Sequence, residues 1–193
     1  MSVRVMLVDP RPSRREVLGP ALQAEGFDII ACVSPDDDLL GAVARYAPDV
    51  VLIDIESPSR DTLENLRTVQ AHQPRPMVMF TQDDAGESIR RAVDAGVTAY
   101  IVDGLENRRV RPIVDAAMAR FTQYRALETE LNETKNKLEE RKVIERAKGL
   151  IMQQQGVSEA EAYQAMRKLA MRKNKRLAEI ADSIISAAEL MQG

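Results

Sequence analysis

Three polar residues that could share one chemical site stand at the ends of apolar segments. Asp9 follows the run at residues 3–8, Asp54 ends the run at residues 50–53, and Thr81 ends another apolar run. Carboxylates and a hydroxyl are oxygen donors that suit Mg²⁺ and a phosphoryl group. The spacing therefore predicts an acidic pocket, with a weak Mg²⁺ site at Asp9 and Asp54, if the fold brings the segment ends together.

A second chemical group is a set of cations in the last third of the chain. From Lys135 to Arg176 there is a surplus of seven positive charges, whereas the remainder has a net charge of -10. Clustered cations neutralise nucleic-acid phosphates. Exposed helices rich in Lys and Arg would give the same count, so both interpretations stay open. The candidate contacts are Lys142, Arg146, Ala147, Lys148, Gly149, Arg167, Lys168, Arg172, Lys173, Lys175 and Arg176.

Two small residues and one aromatic ring accompany these cations. Ala147 and Gly149 could let a nucleic-acid base approach the helix backbone closely, or could simply let helices pack together. Tyr163 supplies the one aromatic ring of this region, and RNA loops are usually bound by stacking on such rings. Since Tyr163 falls on an apolar helical stripe with Ala162 and Met166, we expect its ring to lie in the core.

Composition limits the class of protein. With 193 residues there is room for one ordinary domain and a smaller one, and a hydrophobic content of 45% with only 4% aromatic residues predicts an aliphatic core. The single Cys32 cannot form a disulfide within the chain, which favours a reducing compartment. Neither a signal-peptide pattern nor a run of 18 apolar residues occurs, so we expect a cytoplasmic protein without a membrane span.

The first 122 residues alternate strand-like and helix-like segments. Five such strands, each followed by a helix, predict a doubly wound α/β fold with a five-stranded parallel sheet. If the strand order is 2-1-3-4-5, the strands that end near Asp9 and Asp54 are neighbours. Ligands of such sheets bind beyond the carboxyl ends of the strands, where both acids would lie.

A long helix is predicted from about Arg108. Tyr124, Leu131 and Leu138 recur every seven residues along it, but the accompanying positions are charged. This thin seam could form a coiled coil that joins two copies of the chain, or the segment could be a solvated connecting helix.

Residues 143–190 predict a small all-α domain of three amphipathic helices. Gly156 ends the first helix, and Ser158 with Glu161 matches a capping box at the start of the second. Asn174 interrupts the pattern before a third helix. We thus expect two domains, residues 1–122 and residues 123–193, the latter comprising a linker helix and this helical domain.

The first domain resembles the response regulator receiver family. The residues that carry the resemblance are Asp9, Asp54 with Pro58 four positions later, Thr81, and the segment at residues 99–102. The resemblance implies that Asp54 is the phosphoacceptor, Asp9 a metal-pocket acid and Thr81 the hydroxyl that senses the phosphoryl group.

Two positions depart from that family pattern. Pro10 stands where the family has a second acid, and Asp103 stands where it has a Lys at the end of the fifth strand. Asp103 would add a negative charge to the pocket and repel phosphoryl oxygens. Phosphorylation of Asp54 and a receiver fold kept as a docking surface therefore remain alternatives.

The second domain resembles the ANTAR family over about residues 125–187. The motifs are residues 145–152, 158–163, 167–171 and 176–181, in that order. The resemblance implies that a dimer binds paired hairpins in leader mRNA and prevents a terminator hairpin from forming. Without the resemblance, a basic three-helix domain could equally bind DNA.

A narrower resemblance concerns residues 56–64 and 99–105, which look like the NasT type of nitrate-assimilation antiterminators. That resemblance implies a nitrate- or nitrite-sensing partner protein that holds the regulator inactive until the ligand arrives. Another leader RNA and another partner stay open.

The sequence thus favours a non-enzymatic, RNA-binding transcription antiterminator that needs no cofactor. The alternative is a phosphorylation-switched two-component regulator with a DNA-binding or protein-interaction output. An enzyme that uses Asp9 and Asp54 as an acid pair is disfavoured, because the sole histidine, His72, lies in a polar segment and no Gly-rich phosphate loop is present.

Overall fold

Five parallel strands form one sheet in the order β2-β1-β3-β4-β5 in the computed structural model, which describes residues 2–11, 14–102 and 107–192. Asp103 lies outside the described residues. The predicted parallel sheet and its strand order are confirmed. The strands are β1 (Val3–Val8), β2 (Phe27–Val33), β3 (Val50–Asp54), β4 (Met77–Thr81) and β5 (Ala99–Val102).

Helices cover both faces of the sheet because successive side chains of a strand point to opposite faces. Val5 and Leu7 pack with the first and last helices of this unit, whereas Met6 and Val8 pack with the other three. β3 and β4 are buried along their whole length, as their continuous apolar runs predict. The helices are α1 (Arg14–Ala24), α2 (Leu39–Tyr46), α3 (Arg60–His72), α4 (Gly86–Asp94) and α5 (Asn107–Gln155).

One helix boundary differs from the sequence expectation for a local reason. α2 begins at Leu39 and not at residue 36, because the side chain of Asp38 accepts a hydrogen bond from the backbone N–H of Gly41 at 2.9 Å. An aspartate in this position satisfies a backbone donor that has no partner inside the helix. The N-cap therefore fixes where the helix starts.

α5 is one continuous helix of 49 residues. The sequence analysis expected a separate short helix from residue 143, but that segment is the last part of α5, and no Gly or Pro interrupts residues 113–148. Gly156 follows it with φ +68°, a left-handed conformation that ends helices. Despite its length, α5 is too polar to cross a membrane, and no helix in the described part of the chain qualifies.

The chain divides into two units, Met1–Arg125 and Ala126–Gly193. The second unit contains the last part of α5 together with α6 (Glu159–Lys173) and α7 (Leu177–Gln192). The predicted capping box is present, with Glu161 accepting a hydrogen bond from the backbone N–H of Ser158 at 2.9 Å. The core of this unit consists of Ala147, Ile151, Ala162, Met166, Ala181 and Ile185.

Tyr163 lies outside this core, so the prediction that its ring is buried was wrong. Its side chain is 39% exposed, whereas Ala162 and Met166 are fully buried. Tyr163 sits at the edge of the apolar stripe of α6, next to the exposed position of Arg167 one turn later.

Lys148 connects α5 to α6 from a buried position. Its Nζ lies 2.8 Å from a carboxylate oxygen of Glu145 and 2.7 Å from one of Glu159, while its side chain is only 8% exposed. The hydrogen bonds that Lys148 donates to Glu145, the larger cause, and to Glu159 raise the pKa of Lys148 above its ordinary value. In turn, the hydrogen bond from Lys148 lowers the pKa of Glu159. Without the ammonium of Lys148, Glu145 and Glu159 would lose the partner that they share.

Replacing Lys148 with Met, which keeps most of the apolar stem, is expected to loosen α6 at neutral pH. The stabilisation through Glu159 is present above the ordinary glutamate pKa of about 4.3 and is lost as the pH falls through the lowered value. The stabilisation through Lys148 is lost only as the pH rises through its raised pKa. Amide hydrogen exchange of α6 in the full chain should therefore be faster in Lys148→Met at neutral pH, and the difference should shrink in acid.

The control for this comparison is Lys137→Met, since Lys137 is an exposed residue of the same helix. An equal change of α6 protection in both variants would contradict a specific role for the Lys148 bridge.

Candidate functional sites

The acidic pocket forms where two neighbouring strands end. Val8 of β1 is paired with Ile53 of β3, so the residues that follow each of them, Asp9 and Asp54, lie side by side. Both acids are buried, with 2% and 6% of their surface exposed. The structure thus brings together the two carboxylates that the sequence analysis assigned to one pocket.

Arg11 bridges these two carboxylates. Its Nε donates to Oδ1 of Asp9 at 2.9 Å, and its Nη2 donates to Oδ2 of Asp9 and to Oδ2 of Asp54, both at 3.1 Å. The backbone N–H of Arg11 also donates to Asp9 Oδ1 at 2.8 Å. Hydrogen bonds between ions of opposite charge are shorter and stronger than neutral ones. The pocket therefore already contains a cation.

The carboxylates of the pocket favour the charged form of the Arg11 guanidinium. The hydrogen bond to Asp9 raises the pKa of Arg11 above its ordinary value, and the charges of Asp9, Asp54 and Glu56 act in the same direction. The guanidinium therefore stays charged beside the two acids.

The donor set does not fit the Mg²⁺ ion that the sequence analysis considered at Asp9 and Asp54. Mg²⁺ requires near-octahedral oxygen ligands, and the two carboxylates already contact guanidinium nitrogens. In the residues that the structure describes, no group of three or more His, Cys, Asp or Glu is arranged to hold a metal.

Thr81 completes the pocket at the end of β4 and is buried. Its hydroxyl donates to the carbonyl oxygen of Glu56 at 2.7 Å and accepts from the backbone N–H of Asp83 at 3.1 Å. The hydroxyl of Tyr100 donates to the carbonyl oxygen of Asp83 at 2.8 Å. Backbone groups thus hold the hydroxyl that the sequence analysis assigned to phosphoryl sensing.

The predicted nucleic-acid contacts fall into groups with different surroundings. One group, here called the α6 cations, is exposed and lies along α6 and the turn after it. No member of this group is paired with a carboxylate among the described residues. Arg167, Lys168 and Arg172 lie on the side of α6 away from its buried residues, since the helix turns about 100° per residue. The α6 cations are Arg167, Lys168, Arg172, Lys173 and Lys175.

Three further cations are exposed but paired with glutamates. Lys142 contacts Glu139 at 2.8 Å, and Arg146 contacts Glu189 of α7 at 2.8 Å. Arg176 lies 3.4 Å from Glu140 and 3.7 Å from Glu179. Exposed pairs of this kind contribute about 0–1 kcal/mol, so a phosphate could replace the glutamates at small cost.

The remaining three residues do not form one exposed patch with these cations. Lys148 is buried between its two glutamates, and Ala147 is fully buried in the helical core, which matches the helix-packing interpretation of that residue. Gly149 is exposed, and a Cβ added there would meet nothing within 4 Å. No packing contact in the described residues therefore requires this glycine, although Gly costs a helix interior about 1 kcal/mol relative to Ala.

Two features of these sites escaped the sequence analysis. Arg11 was not considered, although it stands two residues after Asp9 and between Pro10 and Pro12, a context that restricts its backbone. Met171 is 74% exposed and, with Tyr163, adds apolar surface beside the α6 cations. Because Met171 comes one helical turn after Arg167, helical periodicity alone places it on the same side of α6 as that cation.

Comparison with known proteins supports both parts of this description. A family model described as the response regulator receiver domain matches residues 5–115, and one described as the ANTAR domain matches residues 132–185. The transcriptional regulatory protein PdtaR of Mycobacterium tuberculosis is 28% identical over 182 residues, which cover 94% of this chain and 89% of that protein.

Solved structures show the same fold for the first unit. A CheY-like receiver domain protein from Methanospirillum hungatei JF-1 has a TM-score of 0.55 and 18% identity, covering 64% of this chain and 99% of its own. The receiver domain of a modulated diguanylate cyclase from Desulfovibrio desulfuricans G20 has a TM-score of 0.54 and 16% identity, with the same two coverages.

The receiver model spans more than half of the chain, and the described five-stranded parallel sheet lies within the residues that it matches, apart from Val3 and Arg4. The chain therefore belongs to the response regulator receiver family, and its receiver domain is followed by a helical part that is similar to the ANTAR domain.

Proposed function

We propose that this protein is a transcription antiterminator that binds paired hairpins in leader mRNA through the exposed face of α6. The observation that carries the proposal is the group of α6 cations, none of which has a carboxylate partner in the described residues. Unpaired cations bind phosphates without first losing an ion pair. The similarity to the ANTAR domain and to a transcriptional regulatory protein supports RNA and transcription as the context.

The surface of α6 also offers groups that could contact bases. Tyr163 is partly exposed one turn before Arg167, and Met171 is exposed one turn after it. An aromatic ring and a guanidinium plane are the surfaces on which unpaired RNA bases stack. Gly149 on α5 is open to solvent and lets another molecule approach the helix backbone. The exposed face of α6 thus offers both positive charges and side-chain surfaces on which bases can stack.

The finer assignment concerns nitrate or nitrite assimilation and a sensor protein that holds the regulator inactive. It is supported by the resemblance of residues 56–64 and 99–105 to NasT-type regulators. Sequencing the transcripts that co-purify with the chain tests it. Leader RNAs from other operons would point to a different pathway while leaving RNA binding intact.

The alternative output, binding to duplex DNA or to a protein in a phosphorylation-switched regulator, is separated from RNA binding by competition. Unlabelled leader RNA should displace labelled two-hairpin RNA, whereas duplex DNA of the same sequence should displace it only at much higher concentration. Equal competition by the duplex would favour the alternative.

The first prediction from this proposal concerns the α6 cations. Lys168→Gln combined with Arg172→Gln is expected to weaken binding to a two-hairpin leader RNA at every salt concentration. Each lost phosphate contact should reduce the slope of log affinity against log salt concentration by about 0.7–0.9. Fluorescence anisotropy titration over a range of salt concentrations measures both quantities. The control is Arg90→Gln, an exposed arginine of α4; equal affinity in both variants would contradict the proposed interface.

The second prediction concerns Tyr163. Tyr163→Leu should weaken binding to hairpins with their native loops by about 1–3 kcal/mol, because base stacking on the ring is lost. Tyr163→Phe keeps the ring and should bind almost as tightly as the wild type. Since the ring lies outside the core, neither change should unfold α6. Equal affinity of the Leu and Phe variants would show that the ring does not stack on RNA.

The third prediction concerns self-association. We propose that Leu127, Leu131 and Leu138, each more than half exposed on one side of α5, pair with the same residues of a second copy. Apolar residues at heptad spacing form such seams between helices. Leu131→Lys should convert a dimer to a monomer in sedimentation equilibrium, while Asn136→Lys, off the seam, should not. A wild-type chain that is monomeric at all concentrations would favour the solvated connecting helix.

A further inference from the structure

We propose that Arg11 is the permanent cation of the acidic pocket and occupies the place between Asp9 and Asp54 that a divalent metal would need. The pocket of this receiver domain then takes up no Mg²⁺ as long as Arg11 is present. This inference concerns the first unit alone and does not depend on RNA binding.

Arg11 contacts both acids of the pocket directly. Side-chain nitrogens of Arg11 reach both oxygens of Asp9 and one oxygen of Asp54, within 2.9–3.1 Å. These are the facing oxygens with which a bound metal would have to be coordinated. A metal ion bound at these oxygens would have to displace the guanidinium or lie beside a charge of the same sign, since each oxygen already accepts an N–H at hydrogen-bond distance.

The backbone around Arg11 holds this residue close to the acids. The N–H of Arg11 donates to Asp9 Oδ1, which ties the chain back onto the acid two residues earlier. Pro10 precedes Arg11 and Pro12 follows it, and a residue before proline is restricted to extended conformations. The guanidinium therefore starts from a restrained backbone, and less conformational entropy is lost when it bridges the acids.

The charge of Arg11 also disfavours a metal ion in the pocket. Two buried carboxylates need compensation, because removing charges from water is costly unless they are paired. The guanidinium compensates one of the two charges. A Mg²⁺ ion added beside it would be repelled by the guanidinium. The competing possibility is that Arg11, whose side chain is 52% exposed, swings into solvent and admits the metal.

The test is a calorimetric titration of the full chain with MgCl₂, repeated with Mn²⁺ and detected by electron paramagnetic resonance. The wild type should show no saturable binding. Arg11→Ala and Arg11→Gln should each gain a saturable site, with affinity at least about tenfold above any wild-type signal, because the competing charge is gone. The site should disappear again in the double variant Arg11→Ala/Asp54→Asn.

Arg67→Ala is the matched control, since Arg67 is an exposed arginine of α3 that pairs only with Glu64 in the described residues. It should gain no site. Circular dichroism checks that each variant is folded, and a variant that folds only after MgCl₂ is added also supports the proposal. Saturable binding by the wild type would overturn it, and so would two Arg11 variants that bind no metal. Leader-RNA affinity is measured separately, so failure here leaves the proposed RNA function untouched.

Discussion

A charge that is removed from water needs a partner, and this constraint shapes both units of the protein. In the first unit, two carboxylates lie buried at the ends of β1 and β3, and the single positive charge of Arg11 contacts both. In the second unit the signs are reversed, because the buried Lys148 is compensated by Glu145 and Glu159. In each unit at least one compensating residue lies outside the strand or helix of the buried charge: Arg11 in the loop after β1, and Glu159 in α6.

The same constraint separates structural cations from those that can bind another molecule. Lys148 lies within the residues that match the ANTAR domain, but its ammonium already contacts Glu145 and Glu159 of the same unit. The α6 cations, in contrast, are exposed and have no carboxylate partners in the described part of the chain. Unpaired exposed cations gain most from an anionic ligand, because phosphates replace only water and counterions. This contrast is why the α6 cations support the proposed RNA interface better than Lys148 of α5 does.

The receiver domain has the fold of the solved receiver domains to which it is similar. Its acidic pocket contains the buried Asp9 and Asp54 together with Arg11. The arginine within the pocket is supplied by the loop after β1, where the sequence has Pro10 in place of a second acid. A positive charge built into the chain requires no ion from solution.

Much of this organisation was determined by the sequence alone. Short apolar runs predicted the five strands, and β3 and β4 are buried along their whole length, as a strand covered on both faces must be apolar throughout. The parallel order then placed Asp9 beside Asp54, and the Ser158–Glu161 spacing determined the start of α6. The strands and the helix cap depend on near neighbours in the sequence, so local patterns suffice to predict them, whereas the strand order was assumed at that point and is confirmed by the structure.

Only the tertiary structure decided which charged side chains meet. Arg146 and Glu189, or Arg176 and Glu140, are about forty residues apart in the chain, and no sequence pattern pairs them. Helical periodicity put Tyr163 on the apolar stripe, but the packing of α5 and α7 on Ala162 and Met166 left its ring partly in solvent. Burial and ion pairing depend on three-dimensional distance, which the sequence does not contain in a directly readable form.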